Sequence, residues 1–283
     1  MSAPSVVTVV RGRHEHLDRQ RRGLECSTTP PADHVVVAMD DPELVERWRP
    51  STVVADHLVA LAAPAAGLPL AAARNLGARI AIDRGARQLI FLDVDCVPTA
   101  GALEAYAWAA ATAEGSSAVL CGPVAYLPPA PPGGYDLETE ARTARPHPAR
   151  PAPDPGDVVI DHEGHHLFWS LSFSVGVAAW EATGGFDERY VGYGAEDTDF
   201  GQRAARAGLP LAWVGGATAL HQYHPAQDPP VQHLDDILRN GRLFAETWGW
   251  WPMKGWLEAF EARGLVRRDG RGGWESTAER GSP

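Results

Sequence analysis

The sequence predicts an α/β domain built on a mostly parallel central sheet flanked by helices. Three observations carry that reading. Short runs rich in Val, Ile and Leu alternate with stretches of helical periodicity through the first half of the chain. Several of those runs are apolar at consecutive positions, as strands covered on both faces must be. The chain, 283 residues with 45% hydrophobic and 22% charged, can also bury a sizeable core.

The elements follow in order. Residues 5–10 (SVVTVV) read as a buried strand and 15–24 as a polar helix. Residues 34–38 form a second strand and 52–54 a short third. The stretch 70–84 places Leu70, Ala73, Leu76, Ile80 and Ala81 on one helical face. Residues 88–92 (QLIFL) are a strand, 102–112 a helix and 118–124 another strand. Residues 128–155 then hold nine prolines in 28 positions and are expected to form no regular element. That segment reads as a mobile surface insert or as a flap on the acceptor side. Beyond it, 167–177 reads as a strand, 178–183 and 196–207 as helices, and 211–214 as a strand. Helices over 231–247 and 256–263 surround Trp248, Trp250 and Trp251. The Gly- and charge-rich tail 267–283 is expected to fray.

Composition excludes several classes. The net charge of −11 disfavours nucleic-acid and anionic-membrane partners, which need a basic face. The only lysine is Lys254, so no P-loop exists. No Gly-x-Gly-x-x-Gly follows a strand, which disfavours a dinucleotide-binding dehydrogenase. Cys26, Cys96 and Cys121 are too scattered for a disulfide framework or a thiolate zinc site and read as reduced thiols. The first residues carry no signal pattern, and the apolar stretch 58–73 is broken by Pro64, Gly67 and Pro69. A cytoplasmic protein without a transmembrane segment is the expectation.

Three constellations could carry chemistry. The first is Asp93-Val94-Asp95 at the end of an apolar strand. Strand periodicity puts both carboxylates on one side, where a divalent cation would relieve their repulsion. The second is the Gly- and aromatic-rich run 184–195 leading into Glu196, Asp197 and Asp199 at a helix start. Carboxylates there cap a helix, and one of them could serve as a general base. The third is His221 and His224 past the 211–214 strand, where imidazole beside oxygen ligands favours Mn²⁺ over Mg²⁺.

Together these motifs resemble GT-A fold glycosyltransferases, namely the family 2 enzymes and the C-terminal module of β-1,4-galactosyltransferases. Phe91-Leu92-Asp93-Val94-Asp95, the Gly-Gly-Phe-Asp-Glu run 184–188, and Gly192-Tyr193-Gly194-Ala195-Glu196-Asp197 are close to the galactosyltransferase patterns. The segment 10–17 is similar to that family's first-strand region, and 72–77 (AARNLG, with Arg74 and Asn75) resembles the family 2 helix before the Asp-x-Asp strand.

The resemblance implies a nucleotide-diphosphate sugar donor, a UDP-hexose such as UDP-galactose, and transfer to an acceptor hydroxyl with inversion. Mn²⁺ or Mg²⁺ would sit on Asp95, with Asp93 contacting ribose or metal-bound water. His221, 25 residues after Glu196, would complete the metal site, with His224 as competitor. Asp197 would be the base and Glu196 would hold acceptor or sugar. Asp40, or alternatively Asp41, would read the uracil edge, and Arg11 and Arg13 would meet ribose or phosphate. Gly185, Tyr190, Tyr193 and Gly194 would contact sugar. The implied organisation is a catalytic domain over 1–225, with a nucleotide half (1–124), the insert (125–160) and an acceptor half (161–225), followed by a helical extension (226–266) and the tail. A retaining transferase and a non-catalytic nucleotide- or glycan-binding scaffold are the rival readings.

Overall fold

The structure, a computed structural model, describes residues 3–112 and 114–278. Strand β1 (Ser5–Val10) is buried throughout because parallel neighbours flank it, β2 (Asp33–Met39) and β4 (Gln88–Leu92). Its one internal polar side chain is satisfied. The Thr8 hydroxyl donates to Gln20 at 2.8 Å and lies 3.0 Å from His34 Nε2. Helix α1 (His14–Glu25) links β1 to β2; α2 (Pro42–Arg47) leads to the edge strand β3 (Asp56–Leu61). Helix α3 (Leu70–Asp83) crosses back to β4 and packs against β1 so closely that a Cβ on Gly77 would lie 2.4 Å from Val7.

A short strand β5 (Cys96–Pro98) and helix α4 (Ala102–Ala110) follow, then β6 (Val119–Cys121) and β7 (Val124–Tyr126). After α5 (Leu137–Thr143) come β8 (Val158–Asp161), β9 (Ser172–Gly176), α6 (Val177–Thr183), α7 (Glu196–Arg206), β10 (Leu211–Val214) and β11 (Ala219–His221). Helices α8 (Leu234–Trp248) and α9 (Lys254–Ala262) precede a hairpin of β12 (Val266–Arg268) and β13 (Trp274–Ser276).

The main sheet has the order β3-β2-β1-β4-β9-β6-β10-β8. Four of its neighbour pairs are parallel; β9 runs antiparallel to β4 and β6, and β8 to β10. A second sheet, β5-β11-β7, brings β5 and β11 together with His221 opposite Cys96. That register sets His221 beside Asp95.

The core on the α3/α6/α7 face is aromatic. Phe91 and Phe173 stack at 4.5 Å, and Phe186 and Phe200 at 4.6 Å. Phe186 belongs to the glycine-rich run, so core packing anchors that loop; truncating such a ring to Ala costs about 3–5 kcal/mol.

Four local expectations are corrected. The third strand lies at Asp56–Leu61, because Ser51 and Asp56 hydrogen-bond across 51–56 and fold the intervening residues into a turn. The strand expected over 167–177 begins only at Ser172, after a 3-10 turn at Gly164–Leu167. The proline-rich segment holds α5, because Asp136 caps a proline-free run. The tail pairs as β12 and β13, covering Trp274 against α8 and α9; residues 279–283 of that tail lie outside the described residues.

Candidate active site

Four elements converge at the C-terminal edge of the parallel strands, where ligands bind in such sheets. β4 leads to Asp93 and Asp95, α3 supplies Arg74, α7 opens with Glu196 and Asp197, and β11 ends on His221.

The turn 93–96 is tightly held. Gln20 Nε2 donates to the carbonyls of Asp93 at 2.7 Å and Cys96 at 2.9 Å. The Cys96 N–H donates to the Asp93 carbonyl at 2.8 Å, and the Gln222 N–H donates to the Asp95 carbonyl at 2.7 Å. The backbone turns here, and the two carboxylates, close enough to feel one another's charge, take different partners. Asp93 Oδ1 accepts from Arg74 Nη2 at 3.0 Å. Asp95 meets both histidines, with His221 Nε2 at 3.5 Å from Oδ1 and His224 Nε2 at 3.5 Å from Oδ2. Arg13 also donates to Asp95 Oδ2.

Ligand atoms of Asp95, His221 and His224 lie within 4.8 Å of one another. One carboxylate and two imidazoles form a mixed oxygen and nitrogen donor set that suits a transition-metal dication, Mn²⁺ among them, better than Mg²⁺. The two histidines, competitors in the sequence, both lie in this cluster, and Asp93 stands outside it. The electrostatics agree. Burial would raise Asp95, yet the His224 hydrogen bond with the His221 and Arg13 charges holds it at about 2. Burial lowers His221, whereas the hydrogen bond to Asp95 raises His224.

Arg74 joins this cluster to the second group of carboxylates. Buried under the Phe186 ring at 5.2 Å, it donates to Asp93 and, through Nη1 at 3.3 Å, to Glu196 Oε1. Burial would lower its pKa, but the Asp93 and Glu196 charges raise it. Glu196 Oε2 is buried and has no hydrogen-bond partner among the described residues. Burial and the Asp197 charge push Glu196 up to about 7 despite Arg74. Asp197 is half-buried, accepts from the Thr198 N–H at 2.8 Å, and is raised by burial.

The remaining expected residues divide. Tyr193 is 37% exposed, stacks on His233 at 4.4 Å, and is pushed up to about 12 by burial and by the Asp197 and Glu196 charges, so it faces the cleft. Tyr190 does not. It is 2% exposed, packs with Ala195 and Phe244, and directs its hydroxyl to Asp199 at 3.4 Å. Asp199 is likewise inward, accepting from Arg203 at 2.6 Å and Trp248 at 2.7 Å. Asn75 clamps the glycine-rich loop: it accepts from the Phe186 N–H and donates to its carbonyl, both at 2.9 Å. A Cβ on Gly185 would meet Asn75 at 2.8 Å, and one on Gly194 would meet Met253 at 2.8 Å. These glycines admit the protein's own side chains where a ligand was expected. Asp41 is committed to structure, accepting from Leu44 N–H at 3.0 Å and Gly12 N–H at 2.6 Å. Asp40 remains at the surface, 3.4 Å from Arg11. Sequence reasoning missed Tyr126, which stacks on His221 at 4.6 Å; its place at the end of β7 was the available signal.

The fold is that of GT-A type glycosyltransferases. Residues 165–225, which hold the Glu196-Asp197 helix start and both histidines, match the model for the N-terminal domain of galactosyltransferase. Validoxylamine A glucosyltransferase of Streptomyces hygroscopicus subsp. limoneus is 29% identical over 231 residues, covering 73% of this chain and 49% of the relative. The chain thus spans about half the length of that curated relative. Among solved structures, S. aureus TarS in complex with UDP-GlcNAc superposes with a TM-score of 0.56 at 14% identity, covering 80% of this chain and 60% of that one. GalNAc-T7 with UDP, GalNAc and Mn²⁺ superposes at 0.59 with 15% identity, covering 93% and 50%. Among the described residues no helix is long and apolar enough to cross a membrane.

Proposed function

We propose that the protein transfers a hexose from a UDP-sugar to an acceptor hydroxyl with inversion, using a divalent metal and Asp197 as base. The observation that carries the reading is the grouping of Asp95, His221 and His224 at the sheet edge, joined through Asp93 and Arg74 to the Glu196-Asp197 helix start.

A divalent cation held by Asp95, His221 and His224 would offset negative charge developing on the leaving diphosphate. Arg13, which satisfies Asp95 in the structure, is positioned to turn to that phosphate. Asp197 accepts the proton of the acceptor hydroxyl as its oxygen bonds the anomeric carbon. The bond from that carbon to the diphosphate breaks on the opposite side, and the electron pair leaves with the nucleotide. Glu196, fixed by Arg74 beside Asp197, is the further carboxylate assigned to holding the acceptor or sugar. Asp40 and Arg11 lie at the nucleotide end of the cleft, and Tyr193 flanks the sugar.

The comparisons name four sugars, with GlcNAc and GalNAc in the solved structures beside galactose and glucose. The family model favours galactose, and the curated relative's name favours glucose. A thermal-shift screen with UDP, GDP, dTDP and ADP, each with Mn²⁺ or EDTA, tests the donor class, since a ligand that binds the folded state raises its melting temperature. A Mn²⁺-dependent rise with UDP is expected, followed by turnover of UDP-glucose or UDP-galactose. No response to any nucleotide at millimolar concentration would favour the scaffold reading.

A further inference from the structure

The proline-rich insert carries a charge that the reaction above does not use. Arg150 is only 8% exposed, and among the described residues none of its three side-chain nitrogens has a nitrogen or oxygen hydrogen-bond partner. Its guanidinium lies between two indoles, with Cζ 5.1 Å from the Trp169 ring centre and 5.0 Å from that of Trp213. Ring faces attract a cation, but they offer no acceptor to its five N–H groups. Burial pushes the thiol beside it, Cys121, up to about 11 although Arg150 draws its pKa down, so it stays neutral and supplies no charge. Among the described residues no carboxylate pairs with this guanidinium, and a buried cation left so is costly; an anion would supply the missing partner.

Its location ties it to the cleft. Trp213 and Cys121 are register partners near the C-terminal ends of β10 and β6, the edge on which Asp93 and Asp95 also stand. An aromatic tier leads back from Arg150 to the cation cluster. Trp169 meets His147 edge-on at 5.0 Å, His147 meets Tyr126 at 5.8 Å, and Tyr126 stacks on His221 at 4.6 Å. Tyr126 is 45% exposed, so the tier forms a wall open to ligand. Trp213 is fully buried, whereas Trp169 is half-buried and lies outside the strands. The Trp169 side is the one able to open.

We propose that Arg150 recognises an anionic group, a carboxylate or phosphate, on the acceptor, and that Trp169 swings aside to admit it. This rests on the transferase reading, and it makes the insert an acceptor-selecting element. A neutral acceptor would leave the guanidinium unpaired and be disfavoured.

The test measures the melting temperature of the full chain with inorganic phosphate, with glucuronate and with glucose, all at one ionic strength. Wild type is expected to show a saturable rise with phosphate or glucuronate and none with glucose. The anion that acts identifies the acceptor group as phosphate or carboxylate. Arg150→Met, which keeps the apolar stem, is expected to lose the rise. Trp169→Ala, which removes the cover, should respond at lower anion concentration. The proposal is overturned if neither anion shifts the wild type, if Arg150→Met responds like it, or if Trp169→Ala responds no better. UDP with Mn²⁺ is run on the same samples. Retention of its shift shows that the variants are folded, and its absence from the wild type counts against the transferase reading separately from the anion result.

Discussion

Asp95 and Glu196 are both buried carboxylates at one edge of the sheet, yet their surroundings drive them in opposite directions. Asp95 faces two imidazoles and a guanidinium and is held at about 2. Glu196 faces one guanidinium shared with Asp93, and the neighbouring Asp197 charge helps push it up to about 7. The first environment keeps a negative charge ready for a cation. The second tolerates a proton and suits the handling of a hydroxyl. The site is therefore two electrostatic halves with Arg74 between them.

Asp197→Asn gives the largest expected effect. If the halves are separate, turnover falls by about 10²- to 10⁴-fold while the Mn²⁺-dependent UDP shift is unchanged. Asp95→Asn should do the reverse for binding, abolishing the metal dependence of that shift. Single-turnover assays beside thermal shifts separate the two. Normal sugar transfer by Asp197→Asn would remove it as the base.

Arg74→Met tests the link. It leaves Asp93 and Glu196 buried without their shared cation, and a broken buried pair of this kind costs about 3–5 kcal/mol. Denaturant unfolding reads the loss directly. A cost below about 1 kcal/mol would mean that the halves are stabilised independently.

The pH dependence of stability sharpens the contrast further. Glu196 rises from an ordinary 4.5 to about 7 in the folded chain. Between those values the folded state binds more protons than the unfolded one, so this group's contribution falls as pH increases through the window. Asp95 behaves oppositely: it moves from 3.8 to about 2, and its contribution is lost as pH falls through that range. Glu196→Gln should flatten the stability profile between pH 4.5 and 7, and Asp95→Asn below pH 4. Unfolding midpoints across pH would show a misassignment as an unchanged slope.

What was legible in the sequence follows the range of the interactions. The strands β1, β2 and β4 were readable because they are apolar at nearly every position, and burial on both faces requires that. The carboxylate and histidine motifs were readable as short local patterns. Their partners were not. Arg74 acts on Asp93, 19 positions away, and on Glu196, 122 positions away, so only the closed sheet reveals it as a shared counter-ion. Arg150 in a proline-rich stretch reads as surface charge until Trp169 and Trp213 are seen on either side. The different partners of Asp93 and Asp95 were hidden for a local reason, since β4 stops at Leu92 and strand periodicity no longer applies.

Tyr190 and Tyr193 provide the smallest and most discriminating comparison, two tyrosines three positions apart in one loop. Tyr193 is exposed to the cleft, whereas the Tyr190 ring is sealed among Ala195 and Phe244. The Tyr190 hydroxyl reaches Asp199 only at 3.4 Å, and Asp199 already accepts shorter bonds from Arg203 and Trp248. Removing it therefore leaves the buried carboxylate satisfied. Tyr190→Phe should cost about 1 kcal/mol or less in unfolding experiments and leave the KM for acceptor unchanged. Tyr193→Phe should have the opposite signature, little change in stability and a raised KM, because its hydroxyl lies in the field of Asp197 and Glu196. A raised KM in Tyr190→Phe would restore that residue to the sugar site and require the loop to open during turnover.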